Sequence, residues 1–459
     1  MDPVTHVAIV GGGPGGYEAA LVAAQLGGQV SVVDRDGLGG STVLTDCVPS
    51  KTLIATSDLM TEVEGASELG LRSSSAVSTD LLAVNSRVKR LALAQSDDIT
   101  RRLDREEIRV VRGTARLEGG GVVTVSSDAG EERISADVVL VATGAHPRVV
   151  PTAVPDGERI LNWEQVYDLD ELPSHLVVVG SGVTGAEFAG AYHSLGSEVT
   201  LVSSRDRVLP GEDSDAAEVL EEVFKRRGMN VLSRSRMASV ERKGDGVLVT
   251  LTDGRTVEGS HCLLALGSIP NSEGLGLDAA GVETGDGGFV NVDKVSRTSA
   301  PGVYAAGDCT GVLMLASVAA MQGRIAMAHA LGDAVRPLDL RQVVSNVFTA
   351  PEIATVGYGQ KAVDDGEIDA ECVMLPLSGN PRAKMDGVRD GFVKLFARSG
   401  SGIVVGGVVV APRASELVHA LSLAVSCSLT VDQVAQAFTV YPSMTGSVAE
   451  AARRLHKRT

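Results

Sequence analysis

The residues of this chain best suited to chemistry are a cysteine and a lysine four positions apart, and glycines crowded between apparent strands and helices. In Gly39-Gly40-Ser41-Thr42-Val43-Leu44-Thr45-Asp46-Cys47-Val48-Pro49-Ser50-Lys51, Pro49 suits an early helical position, where its missing N–H is not needed. The spacing predicts a helix continuing through Thr52-Leu-Ile-Ala, with Cys47 near its N-terminus and Lys51 one turn on. A helix N-terminus and a nearby ammonium both favour a thiolate. Cys47 is therefore expected to be partly ionised, with a buried, inert cysteine as the equal alternative.

A loop of Gly11-Gly12-Gly13-Pro14-Gly15-Gly16 lies between the apolar run Val7-Ala-Ile-Val10 and a helical stretch, Tyr17–Leu26. A second apolar run, Val30-Ser-Val-Val33, ends at Asp34. Gly-x-Gly-x-x-Gly alone is weak, but between a strand and a helix, with an acid about 20 residues on, it is a dinucleotide-binding fingerprint. Gly11, Gly13 and Gly16 let the backbone approach a pyrophosphate where free N–H groups and the helix dipole favour anions. Asp34 can accept from both ribose hydroxyls. The pattern recurs as Leu176-Val-Val-Val179, Gly180-Ser-Gly182-Val-Thr-Gly185-Ala-Glu187, a helix to about Leu195 and Val199-Thr-Leu-Val202. The motifs are too far apart for one βαβ unit and imply two dinucleotide folds, hence two cofactors. The second strand ends in Ser203-Ser204-Arg205-Asp206-Arg207, with no acid at the ribose position. Ser203, Ser204 and Arg205 suit a 2′-phosphate that a carboxylate would repel, which favours NADPH, or use of both NADPH and NADH. Ordinary solvated arginines are the alternative.

These sites need elements to hold them. Thr79–Glu107 has helical character and is expected to form two helices, followed by β-rich segments around Val110–Val125 and Ala136–Thr143. From about Arg341 to Thr459 there is no Gly-x-Gly-x-x-Gly. Strands (Phe392–Phe396, Ile403–Ala411) alternate there with helices (Ala414–Val425, Val431–Phe438, Val448–Leu455), as in an α+β domain.

Length and composition set bounds. The 459 residues suit about three domains. With 44% apolar and 22% charged residues the chain is globular rather than disordered. A net charge of −17 disfavours a nucleic-acid or anionic-membrane footprint, and 3% aromatics disfavours base stacking. No apolar run reaches the roughly 18–20 residues of a membrane span. No basic leader precedes the first strand, and five scattered cysteines fit neither zinc spacing nor a disulfide scaffold. A cytoplasmic protein without a metal is the expectation.

Gly39-Gly-Ser41, Cys47-Val-Pro-Ser-Lys51, Ala142-Thr143-Gly144 and Tyr304-Ala-Ala-Gly307-Asp308 resemble the FAD-dependent pyridine nucleotide–disulfide oxidoreductases, nearest the lipoamide dehydrogenase branch. The resemblance continues through Pro270-Asn271, Phe348–Gly357 and Ser415-Glu416-Leu417, and covers essentially the whole chain in the family's order. It implies an α/β fold with glutathione reductase-like architecture: two Rossmann-like domains and a C-terminal α+β dimerisation domain. The expected bounds are 1–150 with 272–340 for FAD, 151–271 for NAD(P)H and 341–459 for dimerisation. By matching position, Gly11, Gly13, Gly16 and Asp34 would hold the ADP half of FAD and Asp308 its ribityl chain, with Thr143 and Gly144 along the cofactor. Further contacts are implied at Pro14, Gly40, Ser41, Ala115, Ala316 and Gly267. Lys51 and Glu187, on opposite sides of the domain boundary, would form an ion pair near flavin N5. Gly180, Gly182 and Gly185 would cradle the nicotinamide cofactor.

The departures fall on one half-reaction. Disulfide reductases of the family carry Cys-x-x-x-x-Cys, but here Thr42 stands five residues before Cys47. The family's His-Pro-Thr-x-x-Glu is replaced by Tyr441-Pro442-Ser443-Met444-Thr445-Gly446. Thiol exchange needs an attacking thiolate and gains from a placed base; flavin reduction by NAD(P)H needs neither. The resemblance therefore implies an NAD(P)H:quinone oxidoreductase: hydride passes from NAD(P)H to FAD N5, and two electrons pass on to a small-molecule quinone, with Tyr441 a neighbour of the acceptor. A soluble pyridine nucleotide transhydrogenase is the alternative, although that branch typically loses the cysteine retained here. An assembly subunit binding FAD structurally ranks lower. A homodimer is implied, with Tyr441 and Pro442 reaching across it and Ile403–Ala411 and Ala414–Val425 supplying its core.

Overall fold

Runs of β-branched residues bounded by glycine become the central strands. In the computed structural model, which describes residues 4–72 and 76–456, the chain divides into two units. One comprises the chain up to Thr52 with Asn85–Arg148 and Leu266–Asp339; the other comprises Leu53–Val84, Val149–Ala265 and Leu340–Thr459.

The first unit is built on a five-stranded parallel sheet in the order Val303–Ala305, Val138–Val141, His6–Val10, Gln29–Asp34, Arg109–Arg112. Val7 lies opposite both Val30 and Val138. Because both faces are covered, the strands read as continuous apolar runs instead of alternating ones. Val7, Ile9, Val32 and Leu140 pack on one side, and Ala8, Val10, Val33 and Val141 on the other. Helix Pro14–Gln25 crosses helix Ala316–Ala330 at close range. A Cβ at Gly323 would stand 2.0 Å from the Gly15 carbonyl oxygen. Next to this crossing Glu18 accepts from Arg324 at 2.6 and 2.8 Å. Instead of two helices across Thr79–Glu107, one helix forms, Leu81–Arg105. No Gly or Pro interrupts it, and Leu81, Val88, Ala92, Ile99 and Leu103 bury one side.

The second unit holds a parallel sheet of matching design, in the order Asn230–Leu232, Glu198–Val202, His175–Val179, His261–Leu264, Ile160–Leu161. It also holds an antiparallel sheet ordered Val344–Val347, Glu352–Gly357, Val404–Ala411, Phe392–Arg398, Ala370–Pro376. Helices Ala414–Ser426 and Gly446–Arg454 pack against one face of that sheet. From its other face Lys394 reaches Asp213 (3.0 Å) and Asp215 (2.8 Å), with Lys394 and Asp213 almost fully buried. Asp213 also caps the helix Ser214–Arg226.

The expected dimer core needs correction. Strand Val404–Ala411 is buried along its whole length between two neighbours, and helix Ala414–Ser426 lies on the same sheet, so most of this apolar surface is used by the chain itself. The exposed apolar side chains of this region are Leu423 and, further on, Phe438, Val440 and Tyr441.

Candidate cofactor sites

In the first unit, strand His6–Val10 delivers Gly11 in the left-handed region (φ 105°), where a Cβ would meet the Ala142 carbonyl oxygen at 2.2 Å. At Gly16 a Cβ would stand 1.8 Å from the Gly11 carbonyl oxygen. These two glycines fold the loop tightly onto the helix, whereas a Cβ on Gly13, the N-cap, would face open space. Pro14 occupies the first helical position. Asp34 organises the loop: Gly12 N–H donates to Oδ2 (2.7 Å), and Asp36 and Gly37 N–H donate to Oδ1 (3.0 and 2.5 Å). Gly39 N–H donates to the Gly12 carbonyl (2.8 Å). The Gly40 Cβ position is 2.9 Å from Gly13 Cα, and Ser41 is exposed beside it.

Around this loop Thr143 Oγ donates to the Asn271 carbonyl (2.7 Å), and Asn271 Nδ2 donates to the Thr143 carbonyl (2.8 Å). His146 Nδ1 lies 2.6 Å from Asn271 Oδ1. The strands Ala145–Pro147 and Ser268–Pro270 pair here. Gly144 and Gly267 are left-handed, each with open space at its Cβ position. Asp308 follows strand Val303–Ala305; burial and then the Asp46 carboxylate push it up to about 6. Gln322 is buried and accepts from Gly307 N–H (2.8 Å), which fixes the turn before Asp308. Ala115 is buried on strand Thr114–Gly119, and Ala316 begins its helix. Cys47 is the first residue of helix Cys47–Gly65, with Lys51 one turn further; both are half-buried.

In the second unit Gly180 (φ 111°) and Gly185 repeat the geometry: their Cβ positions fall 2.2 Å from the Ala265 oxygen and 1.8 Å from the Gly180 oxygen. Gly182 is the N-cap of helix Val183–Leu195 and opens to space. At the strand end the expectation for Ser203 changes. It is fully buried, its Oγ lies 2.6 Å from Ser181 Oγ, and Arg205 N–H donates to it (3.1 Å). A hydroxyl turned inward cannot face a phosphate, whereas Ser204 and Arg205 are exposed. Glu187 is buried, and its Oε1 accepts from Phe348 N–H (2.9 Å). It lines a small pocket with Ser57, Asp58, Ser194, Arg227 and Thr349. Burial, then the Glu352 and Glu62 carboxylates, push Asp58 up to about 6 against the opposing Arg227 and Arg413. Tyr441 is exposed and precedes Pro442.

The sequence reading missed Asp58, Gln322 and the Asn271–His146 clasp. Asp58 lies seven residues after Lys51, two helical turns on, which is the signal that was available. Among the described residues no group of three His, Cys, Asp or Glu is arranged to hold a metal ion, and no helix is long and apolar enough to cross a membrane.

Residues 5–323 match the pyridine nucleotide-disulphide oxidoreductase family, and residues 343–452 match its dimerisation domain. This chain belongs to that family. The oxidoreductase is 56% identical to an NAD(P)H dehydrogenase (quinone) of Mycobacterium tuberculosis, over 98% of this chain and 94% of that protein. It is 34% identical to a dihydrolipoyl dehydrogenase of Chlorobaculum parvum, over 97% and 96% of the two chains. The crystal structure of LpdA from M. tuberculosis superposes with a TM-score of 0.95 at 55% identity, covering 99% of this oxidoreductase and 100% of that chain. The Escherichia coli flavoprotein disulfide reductase RclA, at 23% identity and a TM-score of 0.88 over 99% and 100% of the chains, shares the fold. Family members use FAD and a pyridine nucleotide. Both cradles fit such ligands: each folds tightly at its first and third glycines and leaves the second open at a helix N-terminus.

Proposed function

We propose that this protein is an FAD-dependent NAD(P)H dehydrogenase that reduces a quinone, its electrons leaving without thiol–disulfide exchange. One observation carries the reading: two nucleotide cradles accompany a cysteine segment in which Thr42, on the short helix Gly40–Leu44 before Cys47, stands where a disulfide reductase needs its second thiol. A threonine hydroxyl can neither form nor break a disulfide. The other cysteines offer no substitute in sequence. Cys262 and Cys309 are buried, and burial pushes both thiols up, Cys309 to about 11. The 56%-identical quinone dehydrogenase supports the same conclusion.

When bound, FAD supplies a two-electron carrier that takes hydride from the reduced nicotinamide and gives two electrons to the quinone, which leaves with two protons as hydroquinone. The chain's own residues bind and orient. Gly11, Gly13, Pro14 and Gly16 receive the FAD pyrophosphate, with Asp34 at the ribose and Asp308 at the ribityl chain. Gly40, Ser41, Ala115, Thr143, Gly144, Gly267 and Ala316 shape the remaining walls. Gly180, Gly182 and Gly185 receive the NAD(P)H pyrophosphate. Lys51 is assigned to the redox end as a fixed positive charge, and Glu187 as a buried carboxylate oriented by Phe348 N–H. Cys47 is not required to react. Tyr441 is assigned to the acceptor's surroundings, and the protein to a homodimer in which exposed Phe438, Val440 and Tyr441 are covered by a second copy. Five free thiols suit a reducing compartment such as the cytoplasm.

The test is anaerobic reduction of the yellow protein with NADPH or NADH, followed in parallel by menadione, lipoamide, an aromatic disulfide and NAD+. Rapid reoxidation by the quinone and none by lipoamide is expected. Appreciable lipoamide turnover, or a protein purified without flavin, overturns the reading.

A further inference from the structure

At the C-terminal ends of strands Glu198–Val202 and Asn230–Leu232 the chain brings two arginines from separate loops side by side. The two strands pair in parallel, Val202 opposite Leu232, and the pairing continues into the loops beyond. Ser203 N–H donates to the Leu232 carbonyl (2.9 Å), Ser235 N–H to the Ser203 carbonyl (2.7 Å) and Arg234 N–H to the Arg205 carbonyl (2.7 Å). Buried Ser203, whose carboxylate counterpart in the first cradle is Asp34, holds the first loop in place from within through Ser181 Oγ and Arg205 N–H.

We infer that Arg234 acts with Arg205 as the receptor for the 2′-phosphate of NADPH and is a specificity-determining residue of the second cradle. Three observations support it. Both side chains are exposed: Arg205 just past the strand that follows the glycine loop and its helix, where the ribose of a bound dinucleotide lies, and Arg234 just past the neighbouring parallel strand. Among the described residues neither guanidinium has a carboxylate partner, although the chain carries a net charge of −17. By contrast, nearby Arg242 is paired with Asp156 and Glu158, and Arg255 with Asp253. Third, Arg234 occupies the left-handed region (φ 52°), which favours glycine, so its backbone is held by the loop pairing and not by its own preference. Two guanidiniums offer planar, paired donors that match phosphate oxygens and an NADH ribose would leave unused.

This inference rests on the proposed function and deepens it. Its test is titration of the FAD-containing full-length protein with 2′,5′-ADP and with 5′-ADP by calorimetry, backed by KM for NADPH and NADH. The wild type is expected to bind 2′,5′-ADP at least about tenfold tighter than 5′-ADP. R234A should weaken 2′,5′-ADP binding by about 10–30-fold and leave 5′-ADP within about twofold, with R234K recovering part of the loss. R234G, which suits the left-handed backbone, should show the same loss in a protein of undiminished melting temperature, which separates phosphate contact from loop damage. If R234A and R234G both retain wild-type affinity for 2′,5′-ADP, the inference is overturned. It also fails, with the dehydrogenase reading intact, if NADH reduces the flavin but 2′,5′-ADP is not preferred over 5′-ADP. If neither nucleotide binds and neither NADPH nor NADH reduces the flavin, the dehydrogenase reading itself fails.

Discussion

The two nucleotide cradles share a strand order, a glycine spacing and the same close approaches of the first and third glycines, yet differ in the one residue that ends the second strand. In the first, Asp34 gathers three backbone N–H groups onto a carboxylate. In the second, Ser203 performs the same organising task with a neutral hydroxyl, contacting Ser181 and the Arg205 N–H. Loop architecture is thus preserved while the local charge is exchanged: negative at one strand end, arginine-rich at the other. The comparison separates what a dinucleotide fold needs to close its turn from what it uses to select a ligand.

The comparison breaks most completely at the third glycines. G16A places a methyl 1.8 Å from the Gly11 oxygen, and G185A does the same against Gly180. Overpacking of this kind costs about 1–3 kcal/mol and lifts the helix N-terminus from the anion. G16A should purify with at least about tenfold less flavin by absorbance, whereas G185A should remain yellow but show KM for NAD(P)H raised by about tenfold or more. A smaller effect is expected of D34N, which keeps the shape of Asp34 but removes its charge. Its flavin should dissociate about tenfold more readily in dilution assays, with NAD(P)H binding unchanged.

Each unit also holds one carboxyl pushed up to about 6, Asp308 in the first and Asp58 in the second. For Asp58 the ordinary value is 3.8. Between there and about 6 the folded chain keeps a proton that the unfolded chain has released. Its contribution is therefore complete below about pH 4 and is lost as pH rises through 6. D58N should flatten the melting temperature across that window and melt slightly above the wild type at pH 8, as scanning calorimetry would show. The smallest change is expected of C47S, whose quinone turnover should stay within about threefold of the wild type because no sulfur chemistry is required. Loss of nearly all turnover would make Cys47 a reacting thiol.

Much of this was legible in spacing. The glycine loops and apolar runs indicated both parallel sheets, since strands covered on two faces carry a signal undiluted by alternation. The Cys47 helix was marked by Pro49. What spacing cannot show is the direction of a side chain at a strand end: Ser203 sits where expected but turns inward, and the exposed arginine beside Arg205 arrives from another loop, 29 residues on, through strand pairing. The Asn271–Thr143 clasp likewise joins segments remote in sequence. The run Ile403–Ala411 reads as part of a dimer core because apolarity marks burial without saying whose surface does the burying; strand Val404–Ala411 is buried within the chain itself.

The first parallel sheet is completed only by Val303–Ala305, and its helix Pro14–Gln25 gains its close neighbour only with Ala316–Ala330. A ribosome making this chain therefore releases the whole inserted nucleotide fold, residues 149–265, before the first can close. Flavin capture must wait until late in translation, so nascent chains stalled before residue 303 should emerge colourless while already competent to fold their second cradle's parallel sheet.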